Sequence, residues 1–158
     1  MKDTNPIELL LVEDSTPDME LALRALRKAH LANRIHVARD GVEALDFIFC
    51  EGPHAGRRIT DTPKVILLDL KLPRIDGLEV LKRIKADPRT ALIPVVMLTS
   101  SKEQTDVITS YQLGVNAYLV KPVNFERFSA AVAELGLFWV LLNQPPPTLA
   151  SEPSAPGR

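Results

Sequence analysis

A doubly wound α/β fold, with five parallel strands and five helices, is predicted by three features of this 158-residue chain. Short apolar runs alternate with stretches of helical periodicity. Capping residues, Pro and Gly punctuate the boundaries between them. Consecutive strands separated by helices imply crossover connections, and therefore a parallel sheet covered on both faces.

The elements follow in order. Ile7 to Val12 is an apolar run read as a buried strand. Ser15 or Thr16 caps a helix with Pro17 at its first position, and Asp18 and Glu20 suit the positive end of its dipole. Met19, Leu23 and Leu26 keep helical spacing up to about Ala32. Arg34 to Ala38 is a second strand, and Asp40-Gly41 turns into a helix carrying Val42, Leu45, Phe49 and Cys50. A polar loop from Gly52 to Pro63 is long for a compact domain. Val65 to Asp69 is the most apolar strand, followed by helix from Gly77 to Ala86 and a stop at Asp87-Pro88. Ile93 to Leu98 is the fourth strand, Lys102 to Leu113 the fourth helix, and Ala117 to Val120 the fifth strand. Asn124 caps a last helix to about Leu142.

Composition bounds the class. Hydrophobic residues are 46% and charged residues 25%, which suits one globular domain over residues 1–143. Residues 144–158, rich in Pro, read as a disordered tail. A formal charge of −1 offers no basic field for nucleic acid or anionic lipid. A single cysteine, Cys50, excludes an internal disulfide. No apolar run approaches the roughly 18 residues of a membrane span, and the expected location is cytoplasmic.

In open parallel sheets, ligands bind at the carboxyl ends of the strands. Those ends carry Glu13-Asp14, Asp69, Thr99-Ser100 and Lys121. Three converging carboxylates repel one another and call for a cation, and hard oxygen donors suit Mg²⁺. A lysine and a hydroxyl beside them suit a phosphoryl group. Any one of these residues alone would read as a cap or a solvated charge. It is the set, each member at a strand end, that points to a site.

With these residues in view, the chain resembles a response-regulator receiver domain of the chemotaxis-regulator type. The resemblance rests on Leu-Leu-Val-Glu13-Asp14, Leu-Leu-Asp69-Leu-Lys71-Leu-Pro73-Arg-Ile-Asp76-Gly77, Val-Met-Leu-Thr99-Ser100 and Gly114-Val-Asn-Ala-Tyr118-Leu-Val-Lys121-Pro122, and spans about residues 6–142. It implies a flavodoxin-like sheet of order 2-1-3-4-5 and an aspartyl phosphate formed at Asp69 by attack on a kinase phosphohistidine. It implies Mg²⁺ held by Asp14, Asp69 and the Lys71 backbone carbonyl, with Glu13 acting through a bound water. Lys121 and Thr99 would each meet a phosphoryl oxygen. Thr99 and Tyr118 would form the switch, and Lys121-Pro122 would be a cis peptide. Ser100 stands where the family often has Ala or Gly, and Lys71 and Ser101 stand where self-dephosphorylation is tuned. Asp76-Gly77 reads better as a turn into the next helix than as a ligand.

The last predicted helix is apolar nearly all round, which implies burial on more than one side. Either the Gly52–Pro63 loop or the tail covers it, or, as the favoured expectation, Phe138, Trp139 and Leu141 lie in a homodimer seam with the fourth helix and fifth strand. The Leu-Phe138-Trp139 ending and the Gly52–Pro63 insertion are similar to the small receivers paired with bacterial phytochrome histidine kinases. With no output domain expected after Leu142, the output would be contact with an unidentified downstream protein. His36 and His54 are expected to be structural or solvated, Cys50 a small core residue and Arg57-Arg58 solvated. A haloacid-dehalogenase-type phosphatase would need a second acid where Lys71 stands. A phosphorylation-independent scaffold gives no reason for three repelling carboxylates. The chain is therefore expected not to be an enzyme beyond its own phosphotransfer and dephosphorylation.

Overall fold

A computed structural model describes residues 9–28, 34–121 and 126. Within them, β1 (Leu9–Val12), α1 (Thr16–Lys28), β2 (Ile35–Ala38), α2 (Gly41–Ile48), β3 (Val65–Leu68), α3 (Gly77–Ala86), β4 (Val95–Thr99), α4 (Gln104–Gln112) and β5 (Ala117–Val120) follow in that order. A single 3-10 turn, Gly52–His54, interrupts the long loop between α2 and β3. The described residues contain four α-helices. The expected fifth, with Phe138, Trp139 and Leu141, lies outside them, as do Pro122 and the 144–158 tail.

All strand pairs are parallel, in the order β2-β1-β3-β4-β5. The sheet centre is driest: β1, β3 and β4 are buried at every residue, while β2 and β5, at the edges, are mostly half-buried. Alternate residues of a strand face opposite sides, so each central strand feeds two cores. Leu10, Val12, Ile66, Leu68 and Met97 pack with Phe47 of α2 and Leu81 and Ile84 of α3. Leu9, Leu11, Leu67, Val96 and Leu98 pack with Ala22, Ala25 and Leu26 of α1. Each fully buried Leu or Ile contributes about 1.5–3 kcal/mol relative to exposure.

Element boundaries moved where local chemistry decides. Ser15 caps α1, its Oγ accepting from the Asp18 amide at 3.4 Å, so Thr16 is the first helical residue and Pro17 the second. Asp40 and Asp76 cap α2 and α3, accepting from the Glu43 and Glu79 amides at 2.8 and 3.0 Å. Asp76 is thus a cap, as its sequence context suggests. α2 ends at Ile48, and Cys50, at φ 58°, is only half-buried rather than a core residue. Gly77 lies so close to β3 that a Cβ would meet the Asp69 carbonyl oxygen at 2.2 Å.

The loop between α2 and β3 folds back on the β2 edge. The His36 ring stacks on Phe47 at 4.2 Å, and His54 meets both rings edge-on at 5.1 Å. The Arg57 guanidinium covers the Phe47 ring at 3.8 Å and donates to the Phe47 and Asp61 carbonyls. Arg57 is therefore a structural clamp, not a solvated charge. Burial, with His54 and Arg57 nearby, pulls the His36 pKa below its ordinary value.

Candidate functional site

Sheet register brings the functional residues together. Val12 pairs with both Ala38 and Leu68, so the residues after β1 and β3 leave the sheet at one level. The Asp69 amide then donates to the Val12 carbonyl at 3.0 Å. Across the sheet, Thr99 pairs with Val120, and the Lys121 amide donates to the Thr99 carbonyl at 2.6 Å. Thr99 is the last residue of β4 rather than the first after it.

Carboxylate oxygens of Glu13, Asp14 and Asp69 all lie within 4.8 Å of one another. Glu13 and Asp69 are buried and Asp14 is exposed, so the cluster opens to water on one side. A compact set of hard oxygen donors with an open side fits a divalent cation that keeps some of its waters. Burial pushes the Glu13 carboxyl up to about 7; the Lys121 hydrogen bond opposes this and the Asp69 charge adds to it.

Lys121 supplies the countercharge. Its Nζ donates to Glu13 Oε1 at 2.8 Å and Asp18 Oδ2 at 2.8 Å, and stands 3.6 Å from Asp69 Oδ2. Burial pulls the Lys121 pKa down, but the bonds to Asp18 and Glu13 and the Asp69 charge outweigh it and raise the pKa. The ammonium therefore stays charged. Asp18 is the member of this group that sequence reasoning missed. Its acidity at the start of α1 read as dipole compensation; the available signal was its place only four residues after Asp14.

The switch candidates are wired to one loop. Thr99 is fully buried, and its Oγ1 accepts from the Ser101 amide at 3.3 Å. Ser101 Oγ donates to Asp106 of α4 at 2.5 Å, and Lys71 reaches the same carboxylate at 3.8 Å. The half-buried Tyr118 packs against the core and donates its hydroxyl to the Ser101 carbonyl at 3.0 Å. Ser101 thus touches Thr99, Tyr118 and α4 at once. Ser100 is exposed beside it. Arg39 steadies the other side of the site, donating to the Asp14 carbonyl at 3.3 Å and to Thr16 Oγ1 at 2.9 Å.

Clustered acids beside a lysine at the carboxyl edge of a parallel sheet suit a metal ion and a phosphoryl group. The chain matches the response regulator receiver domain over residues 9–133 and belongs to that family. Response regulator Rcp1 of Synechocystis sp. is 40% identical over 139 residues, covering 87% of this chain and 92% of Rcp1. The crystal structure of its Mn²⁺-bound form superposes with a TM-score of 0.78 at 39% identity, over 89% of this chain and 99% of that one. The bacteriophytochrome response regulator RtBRR is 53% identical, with a TM-score of 0.74 over 90% of this chain and 86% of that one. The phosphorylated cyanobacterial phytochrome response regulator RcpA gives 0.80 at 37% identity, over 90% and 99%. The chain is thus a receiver of two-component signalling, homologous to the response regulators of phytochromes. Among the described residues, no helix is long and apolar enough to cross a membrane.

Proposed function

We propose that Asp69 takes a phosphoryl group from the phosphohistidine of a sensor histidine kinase, in a Mg²⁺-dependent reaction, and that the chain then signals through protein contacts. One observation carries this reading: the buried Asp69 carboxylate sits in a cluster with Glu13 and Asp14, 3.6 Å from the Lys121 ammonium. A bacteriophytochrome is the kinase class proposed, supported by the kinship to RtBRR and RcpA.

An Asp69 oxygen attacks phosphorus while the phosphorus–nitrogen bond breaks, its electron pair returning to the imidazole, and an acyl phosphate remains. Asp14, Asp69 and the Lys71 carbonyl would hold Mg²⁺, with Glu13 acting through a water. The bound ion supplies neutralisation of the acid cluster and of charge developing on phosphoryl oxygens. Lys121 pairs with one phosphoryl oxygen. Thr99 Oγ1 already accepts from the Ser101 amide, and its O–H donates to a second phosphoryl oxygen. That pull moves the Ser101 segment, on which Tyr118 and Asp106 are anchored, and so reaches α4 and β5.

The output is a homodimer seam formed by α4, β5 and the helix expected to carry Phe138, Trp139 and Leu141. Exposed Ile108 and Tyr111 on α4, each 51% accessible, support that face. The protein acts in the cytoplasm, binds neither DNA nor membrane, and turns over no external substrate. The test is transfer of labelled phosphate from an autophosphorylated bacteriophytochrome kinase, with light scattering of the chain with and without beryllofluoride. Transfer that is lost in Asp69→Asn, with a Mg²⁺-dependent change in assembly, is expected. Label that stays on the kinase overturns the phosphotransfer reading, and an unchanged mass on labelling overturns the regulated seam.

A further inference from the structure

Lys121 has three N–H donors. Two are engaged at 2.8 Å, with Glu13 and Asp18, while Asp69 at 3.6 Å lies beyond hydrogen-bond length. The two partners differ in kind. The Glu13 side chain is 2% exposed, whereas that of Asp18 is 42% exposed and is the easier one to return to water. Asp18 also sits in the first turn of α1, where the helix dipole favours a carboxylate whether or not a lysine is bound to it.

Resting on the reading of Asp69 as phosphoacceptor, we propose that Asp18 is a positioning residue that competes with the phosphoryl oxygen for the Lys121 ammonium. In the unphosphorylated protein the Asp18–Lys121 pair holds the ammonium short of Asp69. Phosphorylation exchanges that pair for a Lys121–phosphoryl pair and releases Asp18 into solvent at the start of α1. The returning Asp18 charge then favours loss of the phosphoryl group, so Asp18 shortens the signalling state.

The experiment is intact-mass spectrometry of the chain labelled with acetyl phosphate and Mg²⁺, followed in time after the donor is removed. Asp18→Asn keeps the shape and an acceptor oxygen but removes the charge, and its phosphoryl lifetime lengthens about two- to five-fold. Asp18→Glu returns the lifetime toward wild type, and added salt narrows the gap between wild type and Asp18→Asn. A purely structural role produces neither the rescue nor the salt effect. Thermal unfolding in EDTA reports whether each variant is folded, with Asp18→Ser as the second neutral variant. An unchanged or shortened lifetime in a folded neutral variant overturns the proposal while leaving Asp69 as acceptor. Failure of the wild type itself to label removes the acceptor reading, and this proposal falls with it.

Discussion

Among the described residues, two clusters of titratable side chains are held by opposite means. At the carboxyl edge of the sheet, the Lys121 ammonium stands against the carboxyl groups of Glu13 and Asp69, one positive group facing two acids. On the β2 edge, His36, His54 and Arg57 gather around Phe47, where burial and neighbouring positive groups favour a neutral His36, and Glu43 alone pulls the other way. Opposite charges make the first region responsive to an added anion or cation. The second is an aromatic packing unit in which burial lowers the His36 pKa.

Substitutions can break this contrast, beginning with the largest effect. Phe47→Ala removes a ring that is 2% exposed and seats both imidazoles and Arg57. It should destabilise the chain by about 3–5 kcal/mol in urea unfolding, while the folded fraction still labels at Asp69. Lys121→Ala leaves Glu13 and Asp69 buried without their ammonium. Roughly 3 kcal/mol should be lost in EDTA, partly regained with Mg²⁺, and the phosphorylated form should no longer accumulate. Gly77→Ala changes no charge, yet its methyl meets the Asp69 carbonyl oxygen. About 1–3 kcal/mol of strain is expected at the β3–α3 turn, with slower labelling of Asp69 by acetyl phosphate.

The smallest effect concerns pH. His36 titrates below its ordinary 6.5 in the folded chain, so as pH falls through that value the unfolded chain takes up the proton first. The His36 share of stability therefore falls toward acid and is regained as pH rises, while Glu13, pushed up to about 7 in the folded chain, contributes the opposite slope. His36→Phe preserves the stack and removes the proton site. Between about pH 5 and 7 the unfolding free energy should rise less, or fall more, with pH in this variant than in wild type. An equal slope in both would place the titration elsewhere.

The same contrast explains what was legible in the sequence. Asp14, Asp69, Thr99 and Lys121 each stand at the end of an apolar strand, and parallel register converts four separate positions into one site. Asp18 was not legible as a site member, because whether a first-turn acid faces solvent or Lys121 depends on the docking of α1. The β2 cluster was less legible still. His36 and Phe47 come from different elements, and His54 and Arg57 reach them only because the loop folds back, a contact no local pattern encodes. Helical periodicity continues to Cys50, whereas the helix ends at Ile48 and the backbone at Cys50 takes a positive φ.

The central claim is that Asp69 is the phosphoacceptor and that its acid neighbours make the reaction metal-dependent. Intact-mass spectrometry with site mapping after exposure to acetyl phosphate, in Mg²⁺ and in EDTA, tests both parts on wild type and Asp69→Asn. A single phosphoryl adduct on Asp69, formed in Mg²⁺ and lost in EDTA or in Asp69→Asn, is the expected result. An adduct that persists in Asp69→Asn, or that forms equally well in EDTA, contradicts it.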